Sequence, residues 1–419
     1  MFINDFVVNG VGIGQTAETL NSCRFDPGLL RPYIETHPNS PMRGRPVAEM
    51  KTGRMLFNHN TNTYTPEVRK FLISDLQARG INSPVFNATS LRKEEWIELD
   101  RVILRAARFR LRAWADLATA NSFGGFNGMS KLILEHETMA DPGEAIVDMD
   151  GLTEGRSDSP LFQLEGLPLP ITHADFWFSS RRLAVSRNTG TPLDTVMGEA
   201  AGRRVAETIE KTTIGMTTGI TYGGNSTQVG GYGRTSQVYG YINFPYRLLK
   251  TNLTIPAGTN PEATVNDVLN MRDQLYANKF YGPFMLYHSN DWDKYMDNDY
   301  ARAVVGGTSI ATSKTLRERL RDIEGIMDVK RLDFFYGSQP SSSTGPGTDT
   351  DVSPVKAFRL LMVQMTPDVA RAVNGMDITT VQWEAVGGMK LNFKVMAIQV
   401  PQLRADYYHN CGILDATTS

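Results

Sequence analysis

The stretch Leu167-Pro168-Leu169-Pro170-Ile171-Thr172-His173-Ala174-Asp175-Phe176-Trp177-Phe178 runs, after a polar interval, into Thr191-Pro192-Leu193-Asp194 and the most legible helix of the chain. Thr191 reads as the N-cap, Pro192 as the first helical residue, and Asp194 as the acid of a capping box. Val196, Ala200, Val205 and Ile209 then recur as an apolar stripe, with Glu207, Glu210 and Lys211 off it, and Gly215 marks the end.

Towards the N-terminus, Ser90 caps a second expected helix that reaches Ala120, before Asn121, Ser122 and Gly124-Gly125. Trp96, Leu99, Ile103, Ala106, Trp114 and Leu117 keep helical spacing, while Arg101, Arg105, Arg108 and Arg112 line a mostly different face. That arginine row reads as a solvated or interface face rather than a DNA contact. Residues 124–166 change character: Lys131-Leu132-Ile133-Leu134 and Ala145-Ile146-Val147 read as short strands around Asp141-Pro142-Gly143. This hairpin-like excursion carries too little apolar material to pack alone. Residues 1–89 lack sustained periodicity and read as an extended arm that borrows stability from neighbours.

Towards the C-terminus, residues 219–241 are rich in Gly, Tyr, Ser and Thr. Asn260-Pro261 starts a helix with Val265, Val268, Leu269, Arg272, Leu275 and Tyr276 at helical spacing. Phe284–Tyr287 reads as a strand, Tyr300–Val305 as helix or loop, and Leu316, Leu320 and Ile323 as a short helix. Gly337–Ser353 is low-complexity and expected to be an exposed loop. Strands follow at Phe358–Met365, Thr379–Trp383 and Leu391–Val400, so the class is α+β with its pieces interleaved along the chain.

The chain has 419 residues and a formal net charge of -2. Tight binding of nucleic acid draws on a basic excess, which is missing here, whereas enclosing nucleic acid needs no affinity. Cys23 and Cys411 are the only cysteines, so a disulfide framework and a cysteine-rich zinc site are excluded. The N-terminus has no basic region before an apolar run, and no stretch approaches the ~18 apolar residues of a membrane helix. A reducing cytoplasm is the expected site of folding.

Fragments of catalytic motifs fail on inspection. His136-Glu137-Thr138-Met139-Ala140 lacks the second histidine of a zincin. Gly307-Thr308-Ser309-Ile310-Ala311 resembles a nucleophile elbow but lacks the strand before it. Gly10-Val11-Gly12-Ile13-Gly14 and Gly230-Gly231-Tyr232-Gly233 are not phosphate loops. The six histidines, at 37, 59, 136, 173, 288 and 409, show no ligand spacing. The expected catalytic, cofactor-binding and metal residues are therefore none.

From about residue 90 to 415 the sequence resembles the shell-protein family of tailed-phage major capsid proteins and encapsulins, with the HK97-like fold. Three stretches carry it: Leu167–Phe176 with the Pro192 helix and Ala206-Glu207-Thr208-Ile209-Glu210; Tyr281-Gly282-Pro283-Phe284-Met285-Leu286-Tyr287 with Asp291-Trp292-Asp293-Lys294-Tyr295; and Gly325-Ile326-Met327-Asp328-Val329 with the strands ending at Val400-Pro401. The resemblance implies an N-arm at 1–89, a P-domain helix at 90–123 and an E-loop at 124–166. It further implies a P-domain with a long spine helix at 167–216, an A-domain at 217–375, and returning C-terminal strands at 376–419.

The function implied is a structural one. Copies assemble as hexamers and pentamers into an icosahedral shell around double-stranded DNA, in the host bacterial cytoplasm, with a portal and with scaffold or decoration proteins as further partners. No membrane and no cofactor are implied. Some capsids of this fold join an E-loop lysine to an asparagine of the next subunit; Lys131 is the only lysine in 124–166, and Asn392 is its candidate partner. An encapsulin-like compartment around a cargo enzyme is the alternative, disfavoured by the 89 residues before the first long helix. A hydrolase using Ser309 is the third reading, to be recognised by a monomer that turns over esters.

Overall fold

A computed structural model describes residues 33–38, 40–58, 63–78, 93–139, 147, 149, 162–189, 195–216, 221–222, 225–226, 238–254, 261–303, 309–335, 359–384, 389–404 and 411–417. The leading segment contains β1 (Tyr33–Ile34), β2 (Pro46–Asn58) and β3 (Thr63–Leu72), an antiparallel sheet in that order, followed by α1 (Ile73–Ala78). This departs from the unpatterned arm expected at 1–89: Tyr33 and Val47 are buried in the chain's own main core.

The expected single helix at 90–120 is two, α2 (Lys93–Arg110) and α3 (Ala113–Ala120), broken at Leu111-Arg112. Then come β4 (Ser122–Phe123), β5 (Ile133–Met139) and β6 (Phe162–Pro168). β5 pairs antiparallel with β6, from Ile133 opposite Pro168 to Met139 opposite Phe162. The second strand of this ribbon is thus at 162–168; Val147, expected in it, lies outside any strand, and Ala145 and Ile146 lie outside the described residues.

β7 (Thr172–Ser179) leads directly into α4 (Ser180–Thr189), a helix not expected from the sequence, and then into α5 (Val196–Ile214). α5 starts at Val196 with Thr195 in the cap position and no side-chain cap bond; the expected cap Thr191–Asp194 lies outside the described residues. Its end is as expected: Gly215 is left-handed at φ 100, and a Cβ there would meet Asn243 Oδ1 at 2.8 Å. The buried face is Gly198, Ala201, Gly202, Val205 and Ile209, whereas Val196, expected on the apolar stripe, is exposed.

The remaining elements are β8 (Thr221–Tyr222), β9 (Asn225–Ser226), β10 (Leu248–Thr251), α6 (Pro261–Ala277), β11 (Phe284–His288), α7 (Asp293–Met296), β12 (Asp299–Ala303), β13 (Ser309–Thr315), α8 (Leu316–Arg321), β14 (Ile326–Arg331), β15 (Arg359–Gln364), β16 (Ala370–Glu384), β17 (Lys390–Leu403) and β18 (Ile413–Thr417). β12 replaces the helix or loop expected at Tyr300–Val305; it pairs antiparallel with β13. Gly337–Ser353 lies outside the described residues.

Two sheets organise the core. One is four-stranded in the order β4-β16-β17-β7, and α5 packs on its β17 and β7. Phe176, Phe178 and Phe393 cluster on the sheet, with Phe176 and Phe393 stacked at 5.1 Å, and Phe393 meets Trp96 of α2 edge-on. The opposite face is partly covered by Leu134 and Leu167 of the β5–β6 ribbon, packed on Val381, Met396 and Ile398. The second sheet is five-stranded, β10-β18-β15-β11-β14. One of its faces, with Leu286, Leu360 and Leu414, packs on Val268, Met271 and Leu275 of α6 and on Leu320 of α8. The other, with Tyr287, Leu361 and Ile413, joins the main core. The boundary expected at 375/376 falls inside β16; β16 and β17 belong to the first sheet and β18 to the second.

Candidate assembly surfaces

A buried polar junction ties α5 and α3 to the second sheet. The Glu210 carboxylate is 1% exposed, and its oxygens accept from the backbone N–H of Ala113 at 2.7 Å and of Trp114 at 3.2 Å. It therefore caps α3 from another helix, and α3 has no side-chain cap of its own. Burial pushes Glu210 up to about 7, against the backbone bonds that pull it down. This corrects the expectation that Glu210 lies off the buried face of its helix.

One turn further along α3, Asp116 accepts from Tyr287 Oη at 3.1 Å and from Lys330 Nζ at 2.6 Å. Tyr287 comes from β11 and Lys330 from β14, so both bonds tie α3 to the second sheet. Tyr241 stacks on Tyr287 at 6.3 Å, and burial pushes both phenols up. A second buried pair sits inside that sheet: Arg359 donates through Nε at 2.9 Å and Nη2 at 2.6 Å to Asp415, which Arg247 also approaches at 3.4 Å. These groups are bonded to one another and read as structural fastenings.

Among the described residues, three of the exposed surfaces bear on assembly. The first is the β5–β6 ribbon. Leu132 at its root is exposed, and Val147 and Met149 in the segment between its strands are fully exposed. The second is one end of the four-stranded sheet, where Trp383, Asn392 and Trp177 are cross-strand neighbours. Trp177 is 55% exposed, and Lys390 Nζ lies over its ring at 4.5 Å; Lys394 lies over Trp383 at 5.7 Å. The third is the outer face of α2, which carries Ile97, Glu98, Arg101, Leu104, Arg105 and Arg108.

Of the motif fragments, Gly10–Gly14 and Gly230–Gly233 lie outside the described residues, and the described parts of the other two show no catalytic geometry. His136 is on strand β5, not on a helix, with its Nε2 at 3.5 Å from Glu165 on the facing strand. Ser309 begins β13 of a hairpin, and the next helix starts only at Leu316, so no strand–turn–helix elbow surrounds it. Lys131 Nζ lies 5.6 Å over the ring of Phe126 in its own chain, while Asn392 sits between the two tryptophans. Among the described residues no group of three metal-ligating side chains comes together, and no helix is long and apolar enough to cross a membrane.

A family model described as a family of unknown function, DUF6260, matches residues 87–339, more than half of the chain. No curated protein matches it. Among solved structures the chain is similar to a virus-like particle from Pyrococcus furiosus, with 16% identity, 77% of this chain and 98% of that one covered, and a TM-score of 0.45. It is similar to the capsid of Myoviridae phage XM1, with 9% identity, coverage of 72% and 92%, and a TM-score of 0.46. It is also similar to the capsid of a native GTA particle, with 10% identity, coverage of 74% and 91%, and a TM-score of 0.45.

Proposed function

This chain belongs to the family of unknown function DUF6260, and we propose that it is the major capsid protein of a tailed bacteriophage, a shell subunit without catalytic chemistry. Copies close as hexamers and pentamers into an icosahedral head around double-stranded DNA. In this reading residues 1–89 are the N-arm, 124–166 the E-loop, 167–216 the P-domain segment with α5 as spine, and the A-domain starts at 217 and ends ahead of β16, which returns to the four-stranded sheet. A portal and scaffold or decoration proteins are the further partners, and assembly takes place in the bacterial cytoplasm.

The observation that supports this reading is the ribbon. A two-stranded ribbon is marginal alone in water. Here its root rests on the four-stranded sheet through Leu134 and Leu167, while Val147 and Met149 have no cover. Burying each such side chain is worth about 1.5–3 kcal/mol, so a neighbouring copy that covers both gains roughly 3–6 kcal/mol per contact. Repeated over a closed lattice, contacts of that size are sufficient to hold a shell.

The variant Val147→Asp with Met149→Asp tests it. Both side chains are fully exposed within the subunit, so far-ultraviolet circular dichroism stays unchanged while particles disappear from the fast-sedimenting fraction. Unimpaired particle formation by that variant overturns the ribbon's role. The genes flanking this one separate the phage head from a cargo compartment: portal, terminase and head-maturation genes in the first case, a peroxidase or ferritin-like gene in the second.

A further inference from the structure

The outer stripe of α2 lies opposite its buried stripe of Trp96, Leu99, Ile103 and Ala107. It contains two large apolar side chains two turns apart, Ile97 at 49% and Leu104 at 37% exposure. Glu98, Arg101, Arg105 and Arg108 on the same stripe are exposed and have no ion pair among the described residues. Acids near the start of a helix and bases near its end complement the helix dipole. The dipole does not account for Ile97 and Leu104, which are left in water between those charges.

The stripe is complementary to itself when a second copy lies antiparallel. With Arg101 at the two-fold axis, Ile97 of one copy meets Leu104 of the other, and Glu98 falls between Arg101 and Arg105 of the other. A contact of this kind is isologous: the same patch serves both partners and closes as a dimer. We propose that the α2 face of Ile97, Glu98, Arg101, Leu104 and Arg105 is a two-fold contact between copies of this chain. This rests on the shell reading, in which two-fold contacts join neighbouring subunits.

Geometry gives the test. Packed helices have axes about 8–10 Å apart. Subtracting the Cα radius of about 2.3 Å on each side leaves roughly 3.4–5.4 Å between residues that face each other at the dyad. The upper part of that range overlaps the Cα separation of about 4.4–6.8 Å that a disulfide spans. The full-length variant Arg101→Cys therefore links to its own mate under mild oxidation and runs as a dimer on a non-reducing gel. Arg108 is also exposed, but the mate of Arg108→Cys lies about 21 Å away along the helix, so that variant stays monomeric on the gel. Glu98→Arg weakens the Arg101→Cys link several-fold by setting an arginine against Arg105 of the other copy, and adding Arg105→Glu restores it.

Particles that form without an Arg101→Cys dimer overturn the contact and leave the shell reading standing. Equal linking of Arg101→Cys and Arg108→Cys also overturns it, since only collision would produce that pattern. A chain that stays single at every concentration overturns both the contact and the shell.

Discussion

Replacing Gly202 and Gly198 by alanine, one at a time, separates two kinds of tight packing between α2 and α5. A Cβ on Gly202 would lie 2.8 Å from Ile103 Cγ2, 3.0 Å from the Ile103 carbonyl oxygen and 3.3 Å from its Cα. Backbone atoms of α2 can yield only if the whole helix moves, which puts the cost in the upper part of the usual overpacking range, at about 2–3 kcal/mol. A Cβ on Gly198 would lie 2.7 Å from Leu99 Cδ1, with Ile103 Cδ1 and Phe176 Cζ at 3.5 Å. Leu99 Cδ1 is the free end of a flexible side chain and can turn away. Both substitutions gain about 1 kcal/mol of helix propensity. Gly198→Ala should therefore be neutral or slightly stabilising, and Gly202→Ala should lose about 1–2 kcal/mol net. Urea unfolding followed by the fluorescence of the buried Trp96 and Trp114 measures the difference. With a slope of about 3 kcal/mol per molar urea, the two midpoints differ by roughly 0.3–1 M. Equal midpoints, or the reverse order, would refute the packing argument.

Three further outcomes follow from the same geometry. Glu210 has a folded value near 7 against the ordinary 4.5, so the folded state holds the extra proton; its contribution to stability is full below about pH 4.5 and is lost as pH rises through 7, by about 3 kcal/mol. Glu210→Gln should flatten that fall when stability is measured from pH 4 to 8; an unchanged slope would assign it to other groups. Arg359→Met removes the main partner of the fully buried Asp415 and should cost about 3 kcal/mol, near the low end for a broken buried pair because Arg247 remains; an unshifted urea midpoint would contradict this. Particles boiled in detergent should run as monomers, since Lys131 rests on its own Phe126; a ladder of multimers lost in Lys131→Arg would show a covalent link instead.

Elements with local signals were legible in the sequence. Pro261 opens α6, and Thr315 closes a full capping box with Glu318 at the short helix expected around Leu316. The apolar runs of β11, β15 and β17 were legible because both of their faces are largely buried. The break at Leu111-Arg112 was not legible, since its cap is a carboxylate distant in sequence, on α5. The β2–β3 pair was hidden by a register shift between Lys51 and Met55, which breaks the alternation that marks a strand. α4 buries only Leu183 among its described side chains, so no apolar stripe announced it. The junction of Glu210, Asp116, Tyr287 and Lys330 draws on four separate elements, and no spacing in the sequence links them.

Electron microscopy of the purified full-length protein, expressed alone or with its head genes, tests the central claim most directly. The account predicts closed, uniform, round shells with visible hexamer and pentamer clusters. A population of single particles at high concentration, with no closed shells, would contradict it.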